Sequence, residues 1–415
     1  MRSPERPSPA STPRDAAVEI VRRLSEAGFT AYLAGGCVRD CLLGLDPKDY
    51  DVATDARPEQ VRDLFPRAQG VGEAFGVMLV RLHGHMIEVA TFRTDASYSD
   101  RRRPDSVTFS DAEHDAQRRD FTINGLFEDP LTDRIIDYVG GRSDLETRLV
   151  RAIGDPETRL EEDRLRMLRA VRFAARFGFT IEAQTAEAIQ AAAGELAGVS
   201  RERIGQEVRW MLSHPNRAVA AWETQYLGLD RAVLEEPSRT PAPHRLARLP
   251  DVVGYSTALA AWLLDRWTGR QVELAEVAGR WSSSLVLSNV ESRALRRTLD
   301  LHGRIRHQWG RLGVARQKRT ASSKEFPEAL MILRAEDAQA FVDVRRQVEQ
   351  LAETGLAPTP LIDGMDLIGC GMEPGPLFQR VLEGVYDAQL EGLVETRDEA
   401  LELARALEQH GSEGR

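Results

Sequence analysis

Apolar residues near the start of the chain fall at helical spacing: Ala17, Ile20, Val21 and Leu24 recur every three or four positions between Ala16 and Ala27, and Gly28 ends the run. The period then changes. Short apolar runs at Thr30 to Ala34, Asp49 to Ala53, Gly76 to Leu82 and His85 to Phe92 predict strands, with helices over Val38 to Leu43 and near Pro58 to Phe65. Helices and strands mixed in one block predict an α+β head. From about Leu145 onward strand signals disappear, and helical patterns of Ala, Leu, Arg and Glu run to the end. The expected organisation is a disordered leader over residues 1–14, rich in Pro and Ser, a head over 15–142, a helical neck over 143–205, and a helical body and tail over 206–415. A Pro-containing break at Glu235 to Pro250 marks a boundary between helical lobes. No internal repeat is evident.

Composition narrows the setting. A chain of 415 residues is long enough for two to four domains. Its longest apolar runs, such as Ala258 to Leu264, are far too short to span a bilayer, and Met1 to Arg14 has no signal-peptide core, so no membrane partner is expected. Three cysteines, Cys37, Cys41 and Cys370, show neither paired nor metal-site spacing, which fits a reduced, cytoplasmic location. The net charge of -10 argues against a uniformly basic nucleic-acid binder, yet local patches decide such binding. Between Arg293 and Arg319 nine basic residues face one acid, Asp300. That tract is either a holder of RNA backbone or a solvated helix face.

The chemistry-bearing residues concentrate early. Gly35-Gly36-Cys-Val-Arg39-Asp follows the strand Thr30 to Ala34 and opens a helix. Glycines let backbone amides approach a ligand, and amides at such a turn suit phosphate oxygens. Arg39 adds a positive charge. Asp49 and Asp51 stand at alternate positions of the next strand and so share a face. Two carboxylates so close repel unless a divalent cation neutralises both, and Mg²⁺ is the natural partner beside substrate phosphates. Glu88, in the run Met86 to Phe92, offers a third acid on a neighbouring strand. Three acids around two metal ions position an attacking hydroxyl and stabilise leaving pyrophosphate. Taken singly, a Gly-Gly turn or an Asp-x-Asp pair is common; their order and spacing give them weight.

These motifs resemble the class II tRNA nucleotidyltransferase and poly(A) polymerase superfamily, which includes the class II CCA-adding enzymes. The likeness extends through Arg118-Arg-Asp-Phe-Thr-Ile-Asn-Gly125, Asp137-Tyr-Val-Gly-Gly141 and Glu162-Asp-Arg-Leu-Arg-Met-Leu-Arg-Ala-Val-Arg172, and weakly into a C-terminal element, Leu361 to Pro376. The resemblance implies a polymerase β-like nucleotidyltransferase head with a mixed sheet, followed by an all-helical neck, body and tail. It implies template-independent addition of C, C and A to a tRNA 3′ end from CTP and ATP. Asp49, Asp51 and Glu88 are the implied catalytic acids, with Mg²⁺ on Asp49 and Asp51. Gly35, Gly36, Arg39, Arg118, Arg119, Asp163, Arg166, Arg169 and Arg172 are the implied nucleotide-binding residues. For Arg118 and Arg119 the alternative is a salt bridge with Asp120 or Asp115. By the same resemblance, Arg93 to Ser110 is a mobile loop needed for adding A. Related specificities stay open: CC-only addition, A-only addition, or poly(A) synthesis. Against the last, Gly70 to Val77 lacks the basic Gly-Arg-Arg-Phe pattern. A degenerate RNA-binding protein is disfavoured by the intact acids, and a phosphohydrolase by the lack of a His-Asp cluster in the helical part.

Base choice is legible in hydrogen-bond terms. Asp163, Arg166, Arg169 and Arg172 recur every three residues in a helical segment with a seam of Leu165, Leu168 and Val171. A carboxylate only accepts and a guanidinium only donates. Cytosine and adenine each present an amino donor beside a ring acceptor, the pattern that Asp163 and Arg166 complement. Uracil and guanine present the reverse, leaving polar groups unpaired at about 1–3 kcal/mol each. The competing reading is a plain ion-pair ladder in which Asp163 pairs with Arg166.

Overall fold

The computed structural model describes residues 12–72, 75–95, 107–267 and 271–412. The chain divides into two compact units: Met1–Met211 with Val219–Arg239, and Leu212–Ala218 with Thr240–Arg415.

The first unit holds the mixed head expected from the sequence. Strands β1 (Ala31–Ala34), β2 (Asp51–Thr54), β3 (Gln69–Gly72), β4 (Val77–Leu82) and β5 (His85–Thr91) come first. Then β6 (Arg93–Asp95) and β7 (Val107–Phe109) pair with each other, and β8 (Leu126–Asp129) and β9 (Arg134–Asp137) complete the main sheet. Its order is β3-β4-β5-β2-β1-β8-β9, with β2 and β5 parallel and the other neighbours antiparallel. Strands β3, β8 and β9, like β1 and β2, are only four residues long, but they lie outside the apolar runs that marked strands in the sequence. They are held by the ladders of their neighbours.

Helix α1 (Pro13–Glu26) buries Ala16, Ala17, Ile20, Val21 and Leu24 and packs on β1, β2 and β5. It starts earlier than the pattern predicts, because Thr12 and Asp15 form a reciprocal capping box. Thr12 to Arg14, assigned to the leader from sequence, are therefore cap and first turn; the rest of the leader lies outside the described residues. Of the predicted mobile loop, residues 96–106 also lie outside them, while its ends form β6 and β7. On the sheet, Phe92 and Phe127 meet edge to face at 5.9 Å within a cluster that includes Ala34, Ala53 and Ala116.

Helices α2 (Gly36–Leu42), α3 (Pro58–Leu64), α4 (Ala112–Gln117) and α5 (Gly141–Thr147) belong to the head. They are followed by α6 (Pro156–Glu162), α7 (Arg166–Phe177), α8 (Ala183–Ala192) and α9 (Arg201–Leu212). The Asp137-to-Gly141 motif is explained by geometry. Asp137 Oδ1 accepts the amides of Val139, Gly140 and Gly141 at 3.0, 2.8 and 3.0 Å, seating the start of α5. At Gly141 a Cβ would lie 2.2 Å from the Thr122 carbonyl oxygen, so only glycine fits. One expectation is corrected here. Two short strands, β10 (Leu149–Val150) and β11 (Thr180–Ile181), pair in parallel beyond Leu145. Two residues carry no readable period, and tertiary pairing makes them strands.

The second unit is helical. Trp262 and Trp281 meet at 5.2 Å in its interior, and Leu301, Ile305, Trp309, Phe326 and Leu333 form a further core cluster. Helices Pro376–Leu390 and Arg397–Ser412 pack through Val381, Val385, Ala400 and Ala404, with Leu367 beside them. Among the described residues no helix is long and apolar enough to cross a membrane.

Candidate active site

A cavity of about 760 Å³ in the first unit gathers every candidate residue read from the sequence, both the three acids and the nine predicted nucleotide-binding positions. Among the described residues, nine arginines and five carboxylates line it. That balance suits a polyanion approaching a small acidic centre.

Asp51 opens β2, and its register partner on parallel β5 is Glu88, which brings the two acids to one place on the sheet. Asp49 lies two residues ahead of Asp51, outside the strand that the sequence pattern extended over it. It still lines the cavity. Asp51 reaches solvent through the cavity, but protein mass around it restricts hydration. That desolvation, then the charge of Glu88, pushes its carboxyl up to about 6; Arg119 opposes the shift and Asp49 adds to it. Among the described residues no group of three His, Cys, Asp or Glu side chains forms a ready-made metal cage. Mutually repelling carboxylates at a cavity wall nevertheless fit a hard divalent cation that takes its remaining ligands from water and phosphate.

Gly35, at φ 70° and ψ −117°, turns the chain from β1 into α2. A Cβ there would meet Arg119 Nη1 at 2.6 Å. Gly35→Ala is therefore expected to cost about 1–3 kcal/mol of stability, read by chemical denaturation. The same substitution should slow nucleotide incorporation by displacing Arg119; an unchanged stability and rate would contradict this geometry.

Arg39 is buried. Its guanidinium donates to Asp40 at 2.6 and 2.8 Å and to Asn124, and lies over the rings of Phe173 and Phe177 at 5.2 and 4.7 Å. Asp40 also accepts from Arg176 at 2.9 Å, so these groups bind α2 to α7. Arg118 and Arg119 both pair with Asp115, at 2.7 and 3.0 Å, as the salt-bridge alternative had it, with Asp115 as the partner rather than Asp120. Burial alone would raise the Asp115 carboxyl, but Arg119 and Arg118 together hold it below its ordinary value. A carboxylate shared by two guanidiniums fixes their orientation, and Arg119 Nη1 also donates to the Asn124 carbonyl at 3.0 Å.

Asp120 pairs instead with Arg169 at 2.6 Å and accepts from the Asn124 amide at 2.9 Å. Burial opposes its charge, and Arg169 with Asn124 outweighs burial, keeping the carboxyl far below its ordinary range. Arg172 donates to buried Glu207 at 2.6 Å and packs on Phe173 and Trp210.

The predicted continuous helix through Asp163 and Arg166 is corrected. Helix α6 ends at Glu162, Asp163 is its extended C-cap, and Arg166 begins α7. The ladder pairing of Asp163 with Arg166 is absent. Asp163 accepts the Leu165 amide at 3.0 Å and Arg203 at 2.6 Å, while Arg166 donates to Glu162 and to the Arg159 carbonyl. Sequence reading misses Arg203, Arg176 and Glu207, because partners 35 to 136 residues apart leave no local signal.

Comparison with known proteins places the whole chain in one family. A family described as the poly A polymerase head domain matches residues 31–151, and one described as the probable RNA and SrmB-binding site of polymerase A matches residues 178–224. The CCA-adding enzyme of Lactiplantibacillus plantarum is 33% identical over 407 residues, covering 93% of this chain and 94% of that protein. The CCA-adding enzyme of Geobacillus stearothermophilus is 33% identical over 412 residues, covering 94% and 96%. The crystal structure of the Bacillus stearothermophilus CCA-adding enzyme in complex with CTP superposes with a TM-score of 0.78 at 28% identity, covering 96% of this chain and all of that one. With two relatives at 33% identity matched over more than nine-tenths of its length, the chain belongs to the CCA-adding enzyme family.

Proposed function

We propose that this chain adds C, C and A to the 3′ end of tRNA from CTP and ATP, releasing pyrophosphate at each step. The observation that carries the reading is one cavity holding Asp49, Asp51 and Glu88 together with the Arg118–Arg119 pair and the Asp163 carboxylate. The reaction joins the RNA 3′ oxygen to the α-phosphorus of the nucleotide and breaks the bond to pyrophosphate. Divalent cations, here Mg²⁺, supply charge neutralisation at the phosphates when bound at Asp49 and Asp51. Arg118 and Arg119, both held by Asp115, bind the triphosphate through their guanidinium groups. Arg169 and Arg172 lie on the same wall and hold α7 against Asp120 and Glu207. Asp163 accepts the amino group of cytosine or adenine, and Arg166 donates to the ring nitrogen beside it. Two relatives covering over nine-tenths of this chain carry the CCA-adding name, and a solved relative was captured with CTP.

The free state of Cys37, Cys41 and Cys370 supports a cytoplasmic setting for this chemistry. The partial specificities are separated by product sequencing. With tRNA transcripts lacking A, CA or CCA and one nucleotide supplied at a time, full CCA addition predicts C on the two shorter ends and A only on the end already carrying CC. Homopolymeric A tails, or refusal of either nucleotide, would replace the reading with poly(A), CC-only or A-only synthesis.

A further inference from the structure

A nucleotide in the cavity of the first unit is gripped at two ends, and the two grips sit on separate stretches of chain. Arg118 and Arg119 directly follow α4, whereas Asp163 and Arg166 flank the break between α6 and α7. For one base-reading pair to serve, its distance from the triphosphate arginines must be fixed, because a misplacement of about 1 Å can cost on the order of a hundredfold in rate. Helical geometry does not carry that spacing, since Asp163 lies extended between the two helices.

Arg159, on α6, spans the gap. Its Nε donates to the Ile153 carbonyl at 3.0 Å and its Nη2 to the Gln117 carbonyl at 2.6 Å, while Nη1 reaches the Arg118 carbonyl at 3.2 Å and Glu162 at 2.8 Å. Gln117 and Arg118 supply the closing carbonyls of α4, which need a partner from outside the helix. From the other side, Arg166 donates to the carbonyl of Arg159 itself at 2.7 Å and to the same Glu162 carboxylate. One residue therefore holds the segment bearing the triphosphate pair through its guanidinium, and the base-reading arginine through its backbone and a shared acid. A planar fork of N–H donors can hold several carbonyls at set angles, which an ammonium cannot. Arg159 does not line the cavity, so it acts through the residues that do. The pair Asp120–Arg169, at 2.6 Å, is a second tie between the same stretches, farther along α7.

We propose that Arg159 is a positioning residue that sets the span between Arg118–Arg119 and the Asp163–Arg166 pair, so that base choice and phosphate placement occur in one register. This rests on the nucleotide contacts proposed above and adds to them the residue that keeps them at a fixed separation.

The test uses the full chain carrying Arg159→Ala or Arg159→Lys. Incorporation from CTP and from UTP is measured on a tRNA transcript lacking its 3′ CCA, together with inhibition by tripolyphosphate, which has no base. Arg159→Ala should lower kcat with CTP about 10- to 100-fold and lower the CTP-to-UTP ratio of kcat/KM about fivefold or more. Tripolyphosphate inhibition should stay within about twofold, because Arg118 and Arg119 keep Asp115. Added ethylguanidinium should restore part of both losses in Arg159→Ala where ethylammonium does not, and Arg159→Lys should share the loss of ratio, which also serves if the alanine variant does not fold. A merely structural arginine would lower the melting temperature without moving the CTP-to-UTP ratio of the folded protein. An unchanged ratio in both variants at a temperature where they are folded, or tripolyphosphate inhibition lost in step with kcat, overturns the proposal. A wild-type chain that does not prefer CTP to UTP would count against the base-reading contacts instead, and the coupling would then be read from kcat against tripolyphosphate inhibition.

Discussion

Asp51→Ala is expected to abolish incorporation of every nucleotide, by about a thousandfold or more, while tRNA affinity stays within about twofold. Asp51 stands opposite Glu88 in the register of β2 and β5, at the wall of the cavity that also holds Asp49. Losing a ligand to a cation that neutralises phosphate charge removes several kcal/mol of transition-state stabilisation, and about 1.4 kcal/mol corresponds to each factor of ten. The pH dependence follows from the same carboxyl, whose value in the fold is raised to about 6. Above that pH it is ionised and able to bind a cation; as pH falls through 6 it takes up a proton and the activity should fall with it. Raising the Mg²⁺ concentration competes with the proton and should move this acid limb to lower pH. The sign for stability is opposite. Because the folded value lies above the ordinary 3.8, ionising Asp51 destabilises the metal-free fold, and that cost grows as pH rises from about 4 to 6. Asp51→Asn should therefore raise the melting temperature of metal-free protein at pH 7.5 but not at pH 4. Substantial turnover by Asp51→Ala, or an acid limb indifferent to Mg²⁺, would remove Asp51 from the metal site.

Asp163→Ala is expected to lower discrimination against UTP and GTP by about 5- to 150-fold, the span given by one unpaired polar group at 1–3 kcal/mol. Affinity for the triphosphate should change much less, because Arg118 and Arg119 are held separately by Asp115. The structure adds a second arm to the experiment. Asp163 is steered by Arg203 at 2.6 Å and by the Leu165 amide at 3.0 Å, not by Arg166. Arg203→Ala should then loosen base choice in the same direction and by a smaller factor, although it lies forty residues away in the chain. Competition assays with mixed nucleotides measure both ratios. A preference unchanged in Asp163→Ala would end the protein-template account.

Local signals carried the first half of this picture. The Gly35-Gly36 turn and the Asp49 and Asp51 pair were readable because each depends on a fixed short spacing, whereas Glu88 was readable only as an acid in a strand pattern and its place opposite Asp51 comes from the pairing of β2 with β5. The helical period of α1 survived as well, since its buried face is a property of one segment. Positions whose geometry depends on a distant neighbour were not readable. A continuous Asp163–Arg172 helix was the natural inference from a three-residue repeat, yet the chain breaks after Glu162, and Asp163 caps α6 in an extended conformation. Likewise, the partners of the arginines were not readable in sequence. In the fold Arg39 is buried against Asp40, Asn124 and two phenylalanine rings, whereas Arg118 and Arg119 are aimed by one buried acid.

The sequence by itself determined the kind of family: a double-glycine turn and paired acids require only a few residues at set intervals, and such intervals are written in the chain. Only the tertiary structure decided which charge serves which purpose. A guanidinium's role depends on the carboxylate it meets and on how much water that contact excludes, and those partners come from strands and helices up to 136 residues apart.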